Sequence, residues 1–562
     1  MRTIILLISM KCRIHLDGQD IFVEVDWMTG HRMLETSQNL VIRAFGRHNI
    51  TLHIDVRYAL ANQRLACILG NKIPADDGCM HGDEKILQND MSDDDNTISV
   101  SFEVWDRDII SFDDQCDISR NGKACDITYS LEEGTWSGDD AIGDENGYGH
   151  CSGEEDGSAH KDEDDCEMWF DIKQNDYDGD GLTWWEEVNV YGTDPTEYTR
   201  NWLFMVYMDG DNDLESAAIE DINEMEEVGS TNLVNIVVQI DRTPGFDNTN
   251  GDWTGARRYY ITHDNDLFTI NSQLIQDLGE VNMGDPRTLI DFVSWATTYY
   301  NNANTHVLVL WNHGGGFAGV CWDYSSEGDY LTMAELKRAL TFINTPIDII
   351  GFDACLMQMI EVCYQIRGTG DIMVGSEEVE SMYGWPYDDI LTHLTANDQM
   401  TITDFAATIV ADYIASYDVG SQGNDQDATL SAVRINNVVT QLTPAIDNFA
   451  QQLLSSLDQW QQQIKDARTY TETYLCWNYK DIFDFAFEVN QRVNDENVQG
   501  AAQNVMNAIT NAVVAEGHLT GHPDSHGLAI YLPTQAQYDM AYENLDFAVD
   551  TNWDEFLRAI GA

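Results

Sequence analysis

The C-terminal two-thirds of this chain predicts an α/β fold, a parallel-rich sheet flanked by helices, preceded by a β-rich N-terminal region. Three observations carry that prediction. From residue 202, near-continuous apolar runs of strand length alternate with amphipathic helical stretches, as in a parallel sheet covered on both faces. Before residue 173 the apolar residues instead alternate with polar ones, the period of half-buried strands. The chain is also long, 562 residues with 43% hydrophobic side chains, which is too much for one core and points to several domains.

Residues 1–66 read as a small α/β or β module. Thr3 to Met10 is either a clipped secretory apolar core or a buried first strand. Asp20–Asp26 and Ile50–Asp55 both alternate as strands do. Residues 67–172 read as an acidic, β-sandwich-like domain. Ile98–Trp105 alternates cleanly and runs into Asp106, Asp108, Asp113 and Asp114, a loop that is either solvated or an ion-binding loop. A segment rich in Gly, Asp, Glu and Ser follows over 137–166, and Cys166–Ile172 closes the region as a strand.

Charge narrows the function. The chain carries 97 acidic against 29 basic side chains, a formal net charge of −68. Such a field repels nucleic acid and anionic membrane surfaces and attracts divalent cations and basic peptides. No stretch approaches the roughly 20 apolar residues of a membrane-spanning helix, so no transmembrane segment is expected. Eleven cysteines leave at least one unpaired within the chain. Cys116 with Cys125 and Cys151 with Cys166 are plausible disulfides, which favours an oxidising, extracellular or cell-surface location.

Residues 173–199 read as a calcium-binding linker. Asp176, Asp178 and Asp180 occupy alternate positions, Gly181 permits the sharp bend, and Glu187 follows at the spacing of an EF-hand loop. The three aspartates offer carboxylates, the Leu182 carbonyl a backbone ligand, and Glu187 a closing bidentate carboxylate. Leu182 to Val190 reads as the exiting helix, ending before Gly192. Strand-like texture at Met168–Asp171 argues against a complete helix–loop–helix hand, so the calcium is expected to stiffen a domain junction.

Residues 200–562 carry the chemistry. Trp202–Met208, Asn235–Asp241, His306–Trp311 and Ile347–Phe352 are the apolar strands, and a helix from Leu214 buries Ala217, Ala218, Ile222, Met225 and Val228. In such sheets reactive side chains sit beyond the strand C-termini. Two strands end that way: Trp311-Asn-His313 runs into Gly314–Gly316, and Phe352-Asp-Ala-Cys355 precedes an expected helix over Leu356–Val362. A thiol at a helix N-terminus is stabilised as thiolate. Cys363 and Cys476, in apolar texture, read as core.

A His–Gly strand end beside an Ala–Cys strand end resembles the caspase-like clan of cysteine peptidases. The surrounding residues resemble the clostripain family in particular. These are Val206–Glu215, Trp311–Gly316, Gly351–Met357, Gly375–Glu378, Gly384–Tyr387 and His526–Pro533. That resemblance spans about 200–562. It implies a caspase-like fold and a cysteine endopeptidase acting on proteins or peptides. It further implies Cys355 as nucleophile, His313 as general acid and base, and the Gly314 N–H in the oxyanion hole. Asp353 falls where the family binds the Arg or Lys before the scissile bond; a helix N-cap is its other reading. Calcium is a frequent requirement of the family. One departure stands out: relatives are cut after a basic residue in the loop following the catalytic His, and 314–335 contains no Lys or Arg. A competing reading makes the chain an inactive calcium-binding surface adhesion or scaffold protein.

Overall fold

The computed structural model describes residues 178–561 apart from 344, 476 and 477, residues 125–130 and 135–139, and the backbone of the strands 4–12, 21–25, 85–88, 97–103, 149–152 and 167–174. The chain divides into two units, Met1–Tyr198 and Thr199–Ala562.

In the first unit, Ile21–Val25, Ile4–Cys12, Glu167–Gln174 and Gly149–Ser152 form one antiparallel sheet in that order. The first apolar run is therefore a strand, and the expected modules 1–66 and 67–172 share a sheet. Lys85–Gln88, Thr97–Glu103, Cys125–Ser130 and Trp136–Gly138 form a second antiparallel sheet. Cys125, Ile127 and Tyr129 are buried while Asp126 and Thr128 are exposed, the alternation of a strand with one wet face. Cys125 is disulfide-bonded. The strand expected at Ile50–Asp55, the acidic loop at 106–114, and Cys116, Cys166 and Asp176 lie outside the described residues.

The second unit is built on a nine-stranded sheet. Its centre is parallel: Val234–Arg242, Trp202–Gly210, Thr305–Trp311, Ile347–Asp353 and Gly370–Gly375. Antiparallel strands extend both sides, Ala256–Tyr260 and Gln273–Gly279 at one, Thr429–Arg434 and Val513–His518 at the other. The central strands are apolar throughout because both faces are covered. Leu203, Met205, Tyr207, Leu308 and Leu310 point into one core, beneath helices that include Pro286–Tyr299 and Met333–Phe342. Phe204, Val206, Met208, Val307 and Val309 point into the other, beneath Glu215–Val228, Tyr387–Ala396 and Ile402–Tyr417. Burying one such side chain contributes about 1.5–3 kcal/mol.

Local signals set the helix starts. Asp285 accepts the Arg287 N–H ahead of Pro286, and Thr332 with Glu335 closes a reciprocal capping box. Among the described residues no helix is long and apolar enough to cross a membrane.

Candidate active site

Strand register builds the site. Thr305–Trp311 and Ile347–Asp353 are parallel neighbours with Trp311 opposite Asp353. His313 and Cys355 each lie two residues beyond that matched pair, so the sheet delivers both to its C-terminal edge. The Asn312 N–H donates to the Asp353 carbonyl at 3.2 Å, tying the two strand ends together. A Cβ on Gly314 would collide with the Cys355 carbonyl oxygen, so only glycine lets the His loop approach the Cys loop this closely. Among the described residues, the Gly314 N–H has no hydrogen-bond acceptor.

The segment after Cys355 is not the expected helix. The helix is Ile360–Gln365, and Leu356 sits between at φ 66°, a strained conformation for a side chain of this size. The thiol therefore does not cap a helix, nor does Asp353. The expectation of a dipole-stabilised thiolate is corrected accordingly: burial, the dominant cause, pushes the Cys355 thiol up, and Asp353 and Glu378 add to the shift. Cys321, Cys355 and Cys363 are unpaired, with Cys321 and Cys363 fully buried.

His313 is held by a residue that sequence reading left without a role. Its Nε2 lies 2.9 Å from Asp213 Oδ1, and Tyr324 donates to the same oxygen at 3.1 Å. The hydrogen bond to His313 is the main reason the Asp213 carboxyl lies below the usual carboxylate range. Asp213 ends the acidic turn after strand Trp202–Gly210. That turn is fastened to the His loop by Asn312, whose Nδ2 donates to the Asp209 carbonyl at 2.6 Å. No local spacing links Asp213 to His313, since a hundred residues separate them.

Asp353 lies buried beside Cys355. Its Oδ2 accepts the Tyr387 hydroxyl at 2.8 Å and the Trp385 N–H at 3.4 Å, and Gly384 passes so close that a Cβ there would stand 2.9 Å from Oδ1. Burial pushes Asp353 up to about 6, against the pull of the neighbouring Glu380, Tyr387 and Trp385 groups. Glu380 is the second carboxyl of this pocket and was not anticipated. Its backbone carbonyl accepts from Cys355 Sγ at 3.9 Å, and its two buried carboxyl oxygens receive no donor in good hydrogen-bond geometry. Burial and then Asp353 push it well above the ordinary range.

A further polar group surrounds His522. Its Nε2 lies 3.2 Å from Glu378 and its Nδ1 3.3 Å from Glu472. Burial works against its charge, but these two carboxylates prevail and hold it at about 9.

In the first unit, carboxylate oxygens of Asp178, Asp180 and Glu187 lie within 4.8 Å of one another. Gly179 and Gly181 take φ 86° and 91°, and the Leu182 N–H donates to Asp180 Oδ1 at 2.7 Å. The exiting segment is a short α-turn, Trp184–Glu186, running into a π-helix, Glu187–Tyr191, closed by Gly192. Three hard oxygen donors around glycine bends fit a calcium ion.

Residues 206–559 match the clostripain family. The chain is 28% identical over 397 residues to clostripain from Hathewaya histolytica, covering 58% of this chain and 74% of that one. Its likeness to solved structures is weaker. For a secreted C11 cysteine protease from Bacteroides thetaiotaomicron in complex with an irreversible peptide inhibitor, identity is 19% and TM-score 0.49, over 64% of this chain and 99% of that one. For an inactive zymogen C11 protease from Parabacteroides distasonis, identity is 19% and TM-score 0.47, over 63% and 99%. The family match covers more than half of the sequence and contains the paired strand ends, the Gly turn and the Asp353–Glu380 pocket of the second unit: the chain belongs to the clostripain family of cysteine peptidases.

Proposed function

We propose that this peptidase cleaves protein or peptide chains after Arg or Lys, through an acyl-enzyme on Cys355. The observation that supports the basic preference is the pair of buried carboxyls, Asp353 and Glu380, beside the nucleophile. Among the described residues neither has a salt bridge. A guanidinium or ammonium entering there supplies the counter-charge that the two buried carboxyls lack, in a charge-assisted contact. Such contacts are worth about 1.5–3 kcal/mol each.

In this reading the Cys355 sulfur attacks the scissile carbonyl carbon while its proton passes to His313. The carbonyl oxygen takes the developing negative charge and is received by the Gly314 N–H, which is free to donate. Collapse breaks the C–N bond, and His313 returns the proton to the leaving amine. Water then attacks the thioester with His313 as base, releasing the acid and the thiol. Because burial keeps the Cys355 thiol protonated, His313 must act as base in the first step as well as the second. Asp213 holds the imidazole in place for both.

Calcium belongs to this reading as a structural ion. Asp178, Asp180 and Glu187, with Asp176 and the Leu182 carbonyl, would hold it in the loop ahead of the peptidase unit. An extracellular or cell-surface location suits such an ion, the disulfide at Cys125 and the large negative charge.

The test is turnover of matched fluorogenic peptides with Arg, Lys or a neutral residue before the scissile bond. Arg and Lys substrates are expected to be cleaved at least about 100-fold faster by kcat/KM than neutral ones, and Cys355→Ala to abolish cleavage. Equal rates for all three would overturn the basic preference, and turnover surviving Cys355→Ala would overturn the mechanism.

A further inference from the structure

A second acidic cluster lies at the same sheet edge as the active site, outside the catalytic machinery. Strands Trp202–Gly210 and Val234–Arg242 run parallel with Asp209 opposite Asp241 and Gly210 opposite Arg242. Asp211 follows the first strand, and Glu280 follows Gln273–Gly279. Carboxylate oxygens of Asp211, Asp241 and Glu280 come within 4.8 Å of one another.

The hydrogen bonding inside this cluster is one-sided. Asp209 Oδ1 accepts the Asp211 N–H at 3.3 Å, Asp211 Oδ1 accepts the Ser325 N–H at 3.0 Å, and Asp241 Oδ1 accepts the Arg242 N–H at 2.8 Å. In all three the other oxygen, Oδ2, is buried and has no hydrogen-bond partner, although each residue is fully buried. The nearest basic side chain in sequence is already engaged. Arg242 Nε pairs with Glu215 at 2.7 Å, and its Nη2 lies 3.2 Å from Asp247. Among the described residues, none of Asp209, Asp211, Asp241, Glu280 and Asp323 has a salt bridge.

Buried carboxylate oxygens left without donor or counter-charge are costly, by several kcal/mol for an uncompensated ion. Packing further carboxyls against them raises that cost. A divalent cation relieves all of these terms at once. The donors are oxygen only, three carboxylates from three separate segments, with no imidazole and no thiolate among them. That chemistry selects a hard ion with a flexible coordination shell.

We propose that Asp211, Asp241 and Glu280 form a calcium site in the peptidase unit, separate from the loop at 178–187. Asp209 stands behind it as a further buried carboxyl. The site fastens the turn after strand Trp202–Gly210 to the ends of two neighbouring strand segments. Asp213, which holds His313, lies two residues beyond the Asp211 ligand, so the ion is a positioning device for the catalytic histidine.

Calorimetric titration of the full-length, chelator-stripped chain in 0.15 M salt tests this. A Glu187→Gln/Asp180→Asn variant first disables the upstream loop. That protein is expected to retain one saturable calcium site, and calcium is expected to raise its melting temperature by about 4 °C or more. Adding Asp211→Asn or Glu280→Gln should weaken the remaining site by at least 100-fold and remove the melting shift. Magnesium should bind at least tenfold more weakly than calcium. No saturable site in the loop-disabled protein, or binding unchanged by both added substitutions, would overturn the proposal. Magnesium binding as tight as calcium would overturn the calcium assignment. Glu280 is exposed, so Glu280→Gln keeps the test decisive if Asp211→Asn does not fold.

Discussion

Two places in the peptidase unit bury carboxyl groups without a counter-charge, and they differ in what they have room for. Beside Cys355 there are two, Asp353 and Glu380, with Tyr387 and the Trp385 N–H already donating to Asp353. At the other end of the edge, Asp211, Asp241 and Glu280 converge with Asp209 and Asp323 close behind. Two carboxyls, of which Asp353 already accepts hydrogen bonds, match the single positive charge of a substrate side chain, which must also leave. Asp209, Asp211 and Asp241, each with one bare buried oxygen, together with Glu280 match a divalent ion that stays. The number of unsatisfied carboxylates, more than the presence of acid as such, distinguishes a specificity pocket from a structural ion site.

Substitutions separate the two. The largest effect is expected from Asp353→Asn, which should lower kcat/KM on Arg and Lys peptides by about 100-fold or more while leaving calcium binding intact. Turnover of a neutral peptide should change little, so the selectivity ratio is the quantity to measure. Next is Asp213→Asn, expected to lower kcat about tenfold with KM nearly unchanged, because it loosens His313 and touches no substrate. Partial recovery by Asp213→Glu would distinguish positioning from a general structural role.

Acid pH probes the pocket more gently. The carboxyl of Asp353 must be ionised to hold a cation, and burial places it at about 6. The kcat/KM for Arg peptides should therefore fall as pH drops through about 6, up to tenfold per unit, more steeply than for a neutral peptide. The smallest effect on catalysis is expected from Asp180→Asn with Glu187→Gln in the upstream loop. Activity on short peptides should stay within about twofold, while proteolytic nicking around 175–195 becomes faster in calcium buffer. Peptide activity falling with that variant would tie the loop to the chemistry.

The legibility of these features follows their sequence span. The parallel sheet could be read because Trp202–Met208, His306–Trp311 and Ile347–Phe352 are apolar on both faces, a property each strand carries alone. His313, Gly314, Cys355 and Asp353 could be read because each sits within a few residues of its strand end. The loop at 178–187 is contiguous and equally visible. Asp213, Glu380, Asp241 and Glu280 acquire their surroundings only when the sheet sets distant strand ends side by side, and no local pattern marks them. The helix expected directly behind Cys355 failed for a local reason: Leu356 takes φ 66°, a turn that apolar spacing does not reveal.

The central claim is that Cys355 is the nucleophile of a peptidase selective for basic residues. Labelling the full-length protein with a lysine-bearing peptide acyloxymethyl ketone, followed by mass spectrometry of the modified peptide, tests both halves together. The account predicts a single thioether at Cys355, lost in Cys355→Ala and reduced at least tenfold in Asp353→Asn. Modification at another cysteine, or labelling of Cys355 at equal rates by lysine and neutral reagents, would contradict it.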